Sequence, residues 1–236
     1  MRNTRAIAFK EFKSYLASPM AYIVTGIFLV GTGFFFSISP TTYFETSITG
    51  FLQTGSILML LLAAVLTMRL LAEERKMGTL ELLLTAPVRD SEVILGKFLG
   101  SLGILTAMLV LTLYYPILLM LFGDTDMGPI GTGYLGLFLL GSASLAVGIF
   151  ASSLTSNQLV AAMVAGGILF TLWFIGMAAG FLPEALGEVV SFLSLSNYFP
   201  DFTRGIIDTR GVIYYLSITA LFLFLAIRSL ENSRWS

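Results

Sequence analysis

A charged segment at 69–97 is the part of this sequence whose side chains could take part in specific chemistry. It contains five basic and five acidic residues, and uncharged stretches long enough to cross a bilayer lie on both sides. A loop that binds lipid headgroups would be mainly basic, whereas mixed charge favours ion pairs with a protein partner. We therefore expect 69–97 to be the contact with another protein.

Several kinds of chemistry are excluded by residue content. The chain has no cysteine and no histidine, which removes disulfides, thiol catalysis, the common zinc sites and histidine acid/base catalysis. A phosphate-binding loop needs G-x-x-x-x-G-K-[ST], but the single Gly-Lys pair, Gly96 with Lys97, precedes Phe98 and has Ser91 where the first glycine should be. We predict no catalytic residue, no metal and no cofactor on this chain.

The elements that position the charged segment follow from composition. Hydrophobic residues make up 56% of the chain and charged residues 11%, against about 25% in a typical soluble domain. The mean hydropathy is +0.90, which predicts an all-α integral membrane protein with a single transmembrane domain at 1–236. A span needs about 20 apolar residues. The uncharged runs predict six transmembrane helices, at 19–39, 51–68, 98–122, 133–154, 159–182 and 211–227.

Basic residues predict the orientation, because Lys and Arg are retained on the cytoplasmic side of short loops. All but two of the 13 basic residues lie in the N-terminal segment, in 69–97 or in the C-terminal tail; the two others are Arg204 and Arg210. We expect a multi-pass protein of the inner (plasma) membrane with both termini in the cytoplasm and an external loop at 183–210. A cleaved signal peptide is the alternative for the first 39 residues, but the apolar stretch is too long for one.

Residues 1–18 are predicted to form an amphipathic helix at the membrane interface. Its apolar face carries Ala8, Phe9, Phe12, Tyr15 and Leu16, and its polar face carries Lys10, Glu11, Lys13 and Ser14. Ser18 and Pro19 supply the N-cap and first-turn proline of the first span. Two roles remain open for this helix: it anchors the chain to membrane lipid, or it lies between the membrane and a cytoplasmic partner.

Glycine and capping residues divide the 69–97 loop. Helical structure is expected to continue from the second span to Lys76, until Gly78 ends it. Asp90 or Ser91 is then expected to cap the helix that runs into the third span. The loop is thus predicted to be mostly helical.

Between these helices, 78–87 is predicted to hold a short helix that lies across the axis of the spans. Thr79 caps it, Glu81 lies in its first turn, and Pro87 stops it. It carries four leucines: Leu80, Leu82, Leu83 and Leu84. Three burial sites remain open for them, namely the underside of the bundle, the lipid interface, or a groove on another protein.

Pairs of small residues four apart could bring membrane helices close together, within the chain or between subunits. The pairs are Gly96 with Gly100, Ala162 with Gly166, and Gly176 with Gly180. Their spacing alone leaves both kinds of contact open.

Three stretches together resemble the permease subunits of type-2 ABC exporters, particularly the six-span group that includes the gliding-motility permease. They are KEFKSYLASPMAYIV at 10–24, TMRLLAEERKMGTLELLLTAPV at 67–88 and FTRGIIDTRGVIYYLSITALFLFL at 202–225. The resemblance covers nearly the whole chain and depends on the order and spacing of the stretches.

The resemblance implies a permease subunit of an ATP-driven exporter. In that case 1–18 is a connecting helix, 69–97 is a coupling loop that docks on a cytoplasmic ATPase subunit, and 183–210 holds short external helices. ATP and Mg would bind the ATPase, a second permease subunit, identical or related, would complete the path as a dimer, and no nucleic acid is involved. The implied coupling residues are Glu73, Glu74, Arg75, Gly78, Thr79, Leu80, Glu81, Leu82, Leu83 and Pro87, and the implied connecting-helix residues are Phe9, Lys10, Phe12 and Lys13.

An alternative function remains open. The predicted spans contain no charged residue, which opposes an ion-driven transporter. They also contain no polar cluster that would mark a substrate path, as expected of a non-transporting anchor or scaffold subunit in a larger ATPase-driven envelope machine. The sequence does not specify a cargo, because a fold does not fix the chemistry of its substrate.

Overall fold

The computed structural model describes residues 2–38, 48–79, 88–122 and 127–233. Within these ranges the regular structure is helical, and no β-strand is present. Six helices are long and apolar enough to cross a membrane: Pro19–Ser37, Thr49–Lys76, Asp90–Leu121, Met127–Ser153, Gln158–Phe181 and Thr209–Asn232. The predicted class, an all-α integral membrane protein with six spans, is confirmed.

The helix boundaries follow local capping signals. The helices are α1 (Arg2–Ala17), α2 (Pro19–Ile38), α3 (Thr49–Thr67), α4 (Ala72–Lys76), α5 (Asp90–Leu111), α6 (Tyr114–Phe122), α7 (Met127–Ser153), α8 (Gln158–Ala178), α9 (Glu184–Phe192), α10 (Phe199–Thr203) and α11 (Thr209–Ser233). At the start of α2, the Ser18 hydroxyl accepts a hydrogen bond from the Met20 N–H at 3.3 Å, which confirms Ser18 as the N-cap. By contrast, the N-cap of α5 is Arg89 and not Asp90 or Ser91, because the Glu92 carboxylate reaches back to the Arg89 N–H at 3.3 Å.

The third span is interrupted at residues 112 and 113, between α5 and α6, and Pro116 explains the interruption. Proline has no N–H, so Pro116 cannot donate to the carbonyl of Thr112 four residues earlier. That carbonyl instead accepts hydrogen bonds from the Tyr115 N–H at 3.0 Å and from the Tyr134 hydroxyl of α7 at 2.9 Å. The interruption therefore leaves a carbonyl that an unbroken helix would use internally, and the hydrogen bond to this carbonyl links the third span to the fourth.

The fourth span, α7, forms the centre of the bundle. In its most apolar window 83% of the residues are buried, whereas the corresponding value is 22% for α2 and for α8. Small residues allow the close approach of neighbours: an added Cβ at Gly148 would clash with the Thr67 Oγ1 of α3, and one at Gly141 would clash with Leu105 of α5. The helices α3 and α11 pack along α7, and α2 and α8 lie on the outside.

The two ends of the bundle are built differently. At the end of the bundle where α1 lies, the Ser229 hydroxyl of α11 donates to the Ser153 carbonyl at the end of α7. We call this end of the bundle the terminal end. At the opposite end, α10 and the segment that links it to α9 are held against the spans by hydrogen bonds to backbone carbonyls. These include the bond from the Tyr215 hydroxyl to Leu195 O at 2.8 Å and the bond from the Thr132 hydroxyl to Phe202 O at 2.7 Å.

Candidate functional site

Half of the predicted coupling residues lie in the described part of the loop. Glu73, Glu74 and Arg75 are in α4, and Gly78 and Thr79 follow it. The others, Leu80, Glu81, Leu82, Leu83 and Pro87, fall outside the described residues, as does most of the predicted transverse helix. We call residues 72–79, which include the five described coupling residues, the loop stem.

The sequence predicts that helical structure continues from the second span to Lys76. In the structure the loop stem is not a direct continuation of that span. The helix is interrupted at 68–71, because the Ser152 hydroxyl enters its hydrogen-bond ladder. Ser152 is fully buried at the end of α7. It accepts hydrogen bonds from the N–H groups of Leu71 at 3.1 Å and Ala72 at 3.0 Å, and it donates to the Met68 carbonyl at 3.1 Å. Sequence reasoning included Ser152 only as part of the predicted span at 133–154 and missed this contact.

A glycine with a left-handed backbone follows α4 near the end of the stem. Gly78 has φ +68°, a conformation that costs other residues about 1–2 kcal/mol. Its N–H bonds to the Arg75 carbonyl at 3.3 Å, and the Thr79 hydroxyl donates to the Glu74 carbonyl at 3.3 Å. These bonds satisfy carbonyls at the end of α4.

Lys97 lies at the centre of a buried charge cluster, which we define as Glu11, Glu74 and Lys97. The Lys97 ammonium donates to Glu11 Oε1 at 3.0 Å and lies 2.8 Å from Glu74 Oε1. The Lys97 side chain is 2% exposed, and the two glutamate side chains are 13% and 19% exposed. One ammonium thus joins three elements, α1, the loop stem and α5, in a site from which water is largely excluded.

The charge cluster forms because α1 packs closely on α5. An added Cβ would lie 2.7 Å from Ile7 at Gly96 and 2.6 Å from the Glu11 Cβ at Gly100. Glycines at these positions let the two backbones approach. The Gly96 and Gly100 pair therefore serves a contact within the chain. By contrast, an added Cβ at Gly166 or Gly180 would meet none of the described residues within 4 Å.

The amphipathic pattern of α1 is only partly what the sequence predicts. Phe12 packs against the core, and Lys10 and Lys13 are exposed. Phe9, assigned to the apolar face, is 61% exposed with the Lys13 ammonium 4.5 Å from its ring centre. Glu11, assigned to the solvated face, instead points into the bundle, because the buried Lys97 requires a counter-charge.

Tyr15 and Arg69 join the end of α1 to the end of the second span. The Tyr15 hydroxyl, almost completely buried, donates to the Leu66 carbonyl at 2.8 Å. The Arg69 guanidinium lies 4.7 Å from the centre of the Tyr15 ring and donates to the Ser18 hydroxyl at 2.7 Å. Burial raises the pKa of Tyr15, and the nearby Arg69 opposes that shift only in part, so the hydroxyl stays protonated and remains a donor.

The described cluster is suited to mechanical linkage. Its charged groups are paired with each other and shielded by packed helices. Among the described residues, no group of three or more acidic side chains is arranged to hold a metal ion. A six-span helical bundle with a charged loop, whose stem is tied into the bundle at one end, defines the class of multi-pass helical membrane proteins.

Comparison with known proteins gives the family. The family model described as ABC-2 family transporter protein matches residues 5–227, and the chain belongs to this family. It is also 30% identical over 183 residues to the probable multidrug ABC transporter permease YbhS of Escherichia coli strain K12, and to the protein of the same name in Escherichia coli O157:H7. Each match covers 71% of this chain and 45% of the relative, so the chain spans less than half the length of these relatives.

Proposed function

We propose that this chain is a permease subunit of an ATP-driven exporter, which couples to a separate cytoplasmic ATPase through the 69–97 loop. The observation that carries the proposal is the family match over residues 5–227, together with a charged loop whose stem is held by the bundle. The finer resemblance, to the gliding-motility permease group, stays a prediction.

The division of labour between two chains is supported by the position of Lys97. A phosphate-binding lysine must extend into a nucleotide site, beside a glycine-rich backbone. Lys97 follows Gly96, but its ammonium is buried between two glutamates, and Phe98 takes the place of the hydroxyl residue. We therefore assign ATP and Mg to the partner ATPase, and this chain has no part in the hydrolysis chemistry.

The proposed orientation puts the terminal end in the cytoplasm of an inner-membrane protein. The loop stem, α1 and the last turns of α11 all lie at that end, and they include most of the basic residues. This distribution agrees with the preference of Lys and Arg for the cytoplasmic side. In this orientation the exposed Lys10 and Lys13 of α1 lie where they can meet lipid headgroups or the ATPase.

A second permease subunit is proposed to pack on the outer spans. In the most apolar windows of α2 and α8 only 22% of the residues are buried by the chain itself. Open glycines on α8, Gly166 and Gly167, would let a neighbouring helix approach closely. The partner is either a second copy or a related subunit.

The first substrate class to test is an amphipathic small molecule. The relatives that the chain resembles are named probable multidrug permeases. A cavity of about 500 Å³ lies between α2 and α6, with a lining that is mostly apolar and aromatic. Its lining includes Leu29, Val30, Phe36 and Leu118, and its hydroxyl groups belong to Ser37, Tyr114 and Tyr115.

A second candidate function is a membrane anchor for an ATPase-driven machine that moves no substrate through this chain. The observation that favours it is the absence of charged residues from the described inner parts of the six spans. ATP-dependent efflux of a fluorescent amphipathic dye from liposomes that contain this chain and its ATPase would exclude the anchor. ATP hydrolysis without efflux of any dye would favour it.

The coupling assignment is tested by the double variant Leu82→Asp with Glu81→Lys. We expect it to abolish co-purification of the ATPase, because it places a charge in the predicted leucine contact and inverts the neighbouring one. The matched control is Leu193→Asp with Glu188→Lys, which makes the same changes on exposed residues at the opposite end and should leave co-purification intact. Unchanged co-purification in the first variant would show that the assignment is wrong.

A further inference from the structure

Lys97 closes the base of the 69–97 loop. Glu74 lies near the start of that loop and Lys97 at its end, and their side chains meet at 2.8 Å. The loop end is also linked to α1, because Lys97 pairs with Glu11 and the Asn3 amide donates to the Glu92 carboxylate at 3.2 Å. A force applied to the loop is therefore received at a point where α1, the loop stem and α5 are joined.

Stability alone does not account for such a cluster. Buried ion pairs lose about as much hydration energy as they gain in attraction, and well-packed apolar side chains of similar volume often stabilise a protein more. Here one ammonium serves two carboxylates, and Glu74 Oε2 is buried without a hydrogen-bond partner among the described residues. An ionic cluster does, however, specify one geometry, because each group requires its partners in place.

We propose that Lys97 is a positioning residue, which fixes both α1 and the loop stem to the third span so that the three elements move as one unit. The close packing of α1 on Gly96 and Gly100 holds the helices together without setting the position of the stem. Lys97 ties the stem to α5 through Glu74, whereas Ser152 ties the start of the stem to α7. The consequence for export, that a push on the loop reaches α5, rests on the proposed function.

The proposal is tested by distance measurements on the isolated chain in lipid nanodiscs. The chain contains no cysteine, so spin labels can be placed on exposed residues without other changes. Ser14→Cys on α1 and Met77→Cys on the stem are each paired with Leu99→Cys on α5, which is 45% exposed. We expect one narrow distance distribution for each label pair in the parent.

Lys97→Met should abolish the narrow stem distribution and broaden the α1 distribution, because it leaves two carboxylates facing each other. Lys97→Arg should restore them, since a guanidinium can serve two carboxylates. The matched control is Arg228→Met, which breaks the exposed Arg228 to Glu231 pair of 2.8 Å and should change neither distance. Narrow distributions in Lys97→Met, or equal broadening in Lys97→Arg, would overturn the proposal.

Glu74→Ala provides a milder variant in case Lys97→Met does not fold. It should broaden the distance from the stem to α5 and leave the distance from α1 to α5 narrow, because Lys97 keeps Glu11. An unchanged stem distance would overturn the proposal by itself.

A second measurement separates this inference from the proposed function. The parent and Lys97→Met chains are assembled with the ATPase, and the stimulation of ATP hydrolysis by the permease is measured. We expect Lys97→Met to bind the ATPase and to lose the stimulation. If the parent itself binds no ATPase, the proposed function is wrong, and the nanodisc distances still decide the role of Lys97. If Lys97→Met binds and stimulates like the parent, Lys97 does not transmit the movement.

Discussion

Two buried polar side chains, Ser152 and Lys97, determine how the loop stem meets the bundle. Each is almost fully buried and each contacts a segment that is distant in sequence. A buried polar group is costly unless it is hydrogen-bonded, so each side chain requires its partners to be in position. The direction in which the chain leaves the second span is therefore set by single residues on other helices.

Ser152→Ala is predicted to destabilise the protein by about 1–3 kcal/mol, because it leaves the buried N–H groups of Leu71 and Ala72 without an acceptor. The free energy of unfolding in detergent measures this. The control is Ser153→Ala: its hydroxyl donates only within its own helix, to the Phe150 carbonyl at 2.7 Å. Equal losses in the two variants would contradict the role assigned to Ser152.

At the scale of elements, the interruptions of the long helices are as informative as the helices themselves. The second span is interrupted where the Ser152 hydroxyl bonds to its backbone. The third is interrupted where Pro116 cannot donate to the Thr112 carbonyl. In both cases α7 supplies a hydroxyl that bonds to the backbone groups at the interruption. The central helix thus stabilises the interruptions of its two neighbours, in keeping with the need to satisfy backbone groups away from water.

The coupling between Tyr134 and Pro116 at the interruption of the third span can be tested by a double-mutant cycle. Tyr134→Phe alone should cost about 0.5–1.5 kcal/mol, because the Thr112 carbonyl loses its hydroxyl partner and keeps the Tyr115 N–H. In a Pro116→Ala background the new N–H can bond to that carbonyl, so the same change should cost less. Denaturant unfolding of the four chains gives the coupling energy. A coupling of zero would show that Tyr134 does not compensate for the proline.

Gly78→Ala is predicted to strain the end of the stem by about 1–2 kcal/mol, because φ +68° suits glycine. No atom of the described residues lies within 4 Å of the added Cβ, so among these residues the effect is one of backbone conformation. We expect reduced co-purification of the proposed ATPase. Gly205→Ala, at φ +87° at the opposite end, should strain the backbone similarly and retain the ATPase. The assignment fails if the two variants bind it equally well.

At the scale of the whole molecule, the bundle has a central helix and unevenly covered outer spans. The difference between α7 and the pair α2 and α8 in buried fraction indicates which helices support the fold and which are free to meet lipid or another subunit. The terminal end is joined by polar contacts between α1, the stem, α7 and α11. The molecule can therefore receive force at one end and present its least covered spans to a partner.

The proposed dimer is tested by disulfide cross-linking in membranes. Single cysteines replace Val30 on α2 and Met163 on α8, which are 73% and 69% exposed. We expect a cross-linked dimer from at least one, since a disulfide forms only when the Cα atoms approach within about 7 Å. The control is Leu221→Cys on α11, also exposed at 50%, which should stay monomeric. Cross-linking at Leu221 alone would assign the interface to α11.

Much of the architecture could be predicted because its determinants are local. A run of apolar residues is recognisable without knowledge of its neighbours, and the six spans follow from it. The N-cap at Ser18 was predictable for the same reason, since its partner is two residues away. The alternation of charge on α1 was a weaker guide, because it could not show that Glu11 faces inward.

The sequence by itself determined that this is a six-span helical membrane protein with a charged loop after the second span. Only the tertiary structure decided that Lys97 joins Glu11 and Glu74, and that Ser152 interrupts the second span. These partners are separated by 86 residues for Lys97 with Glu11 and by 81 for Ser152 with Leu71. Hydropathy and capping act over a few residues, whereas these contacts depend on which helices pack together, and that is set by the shape of the whole bundle.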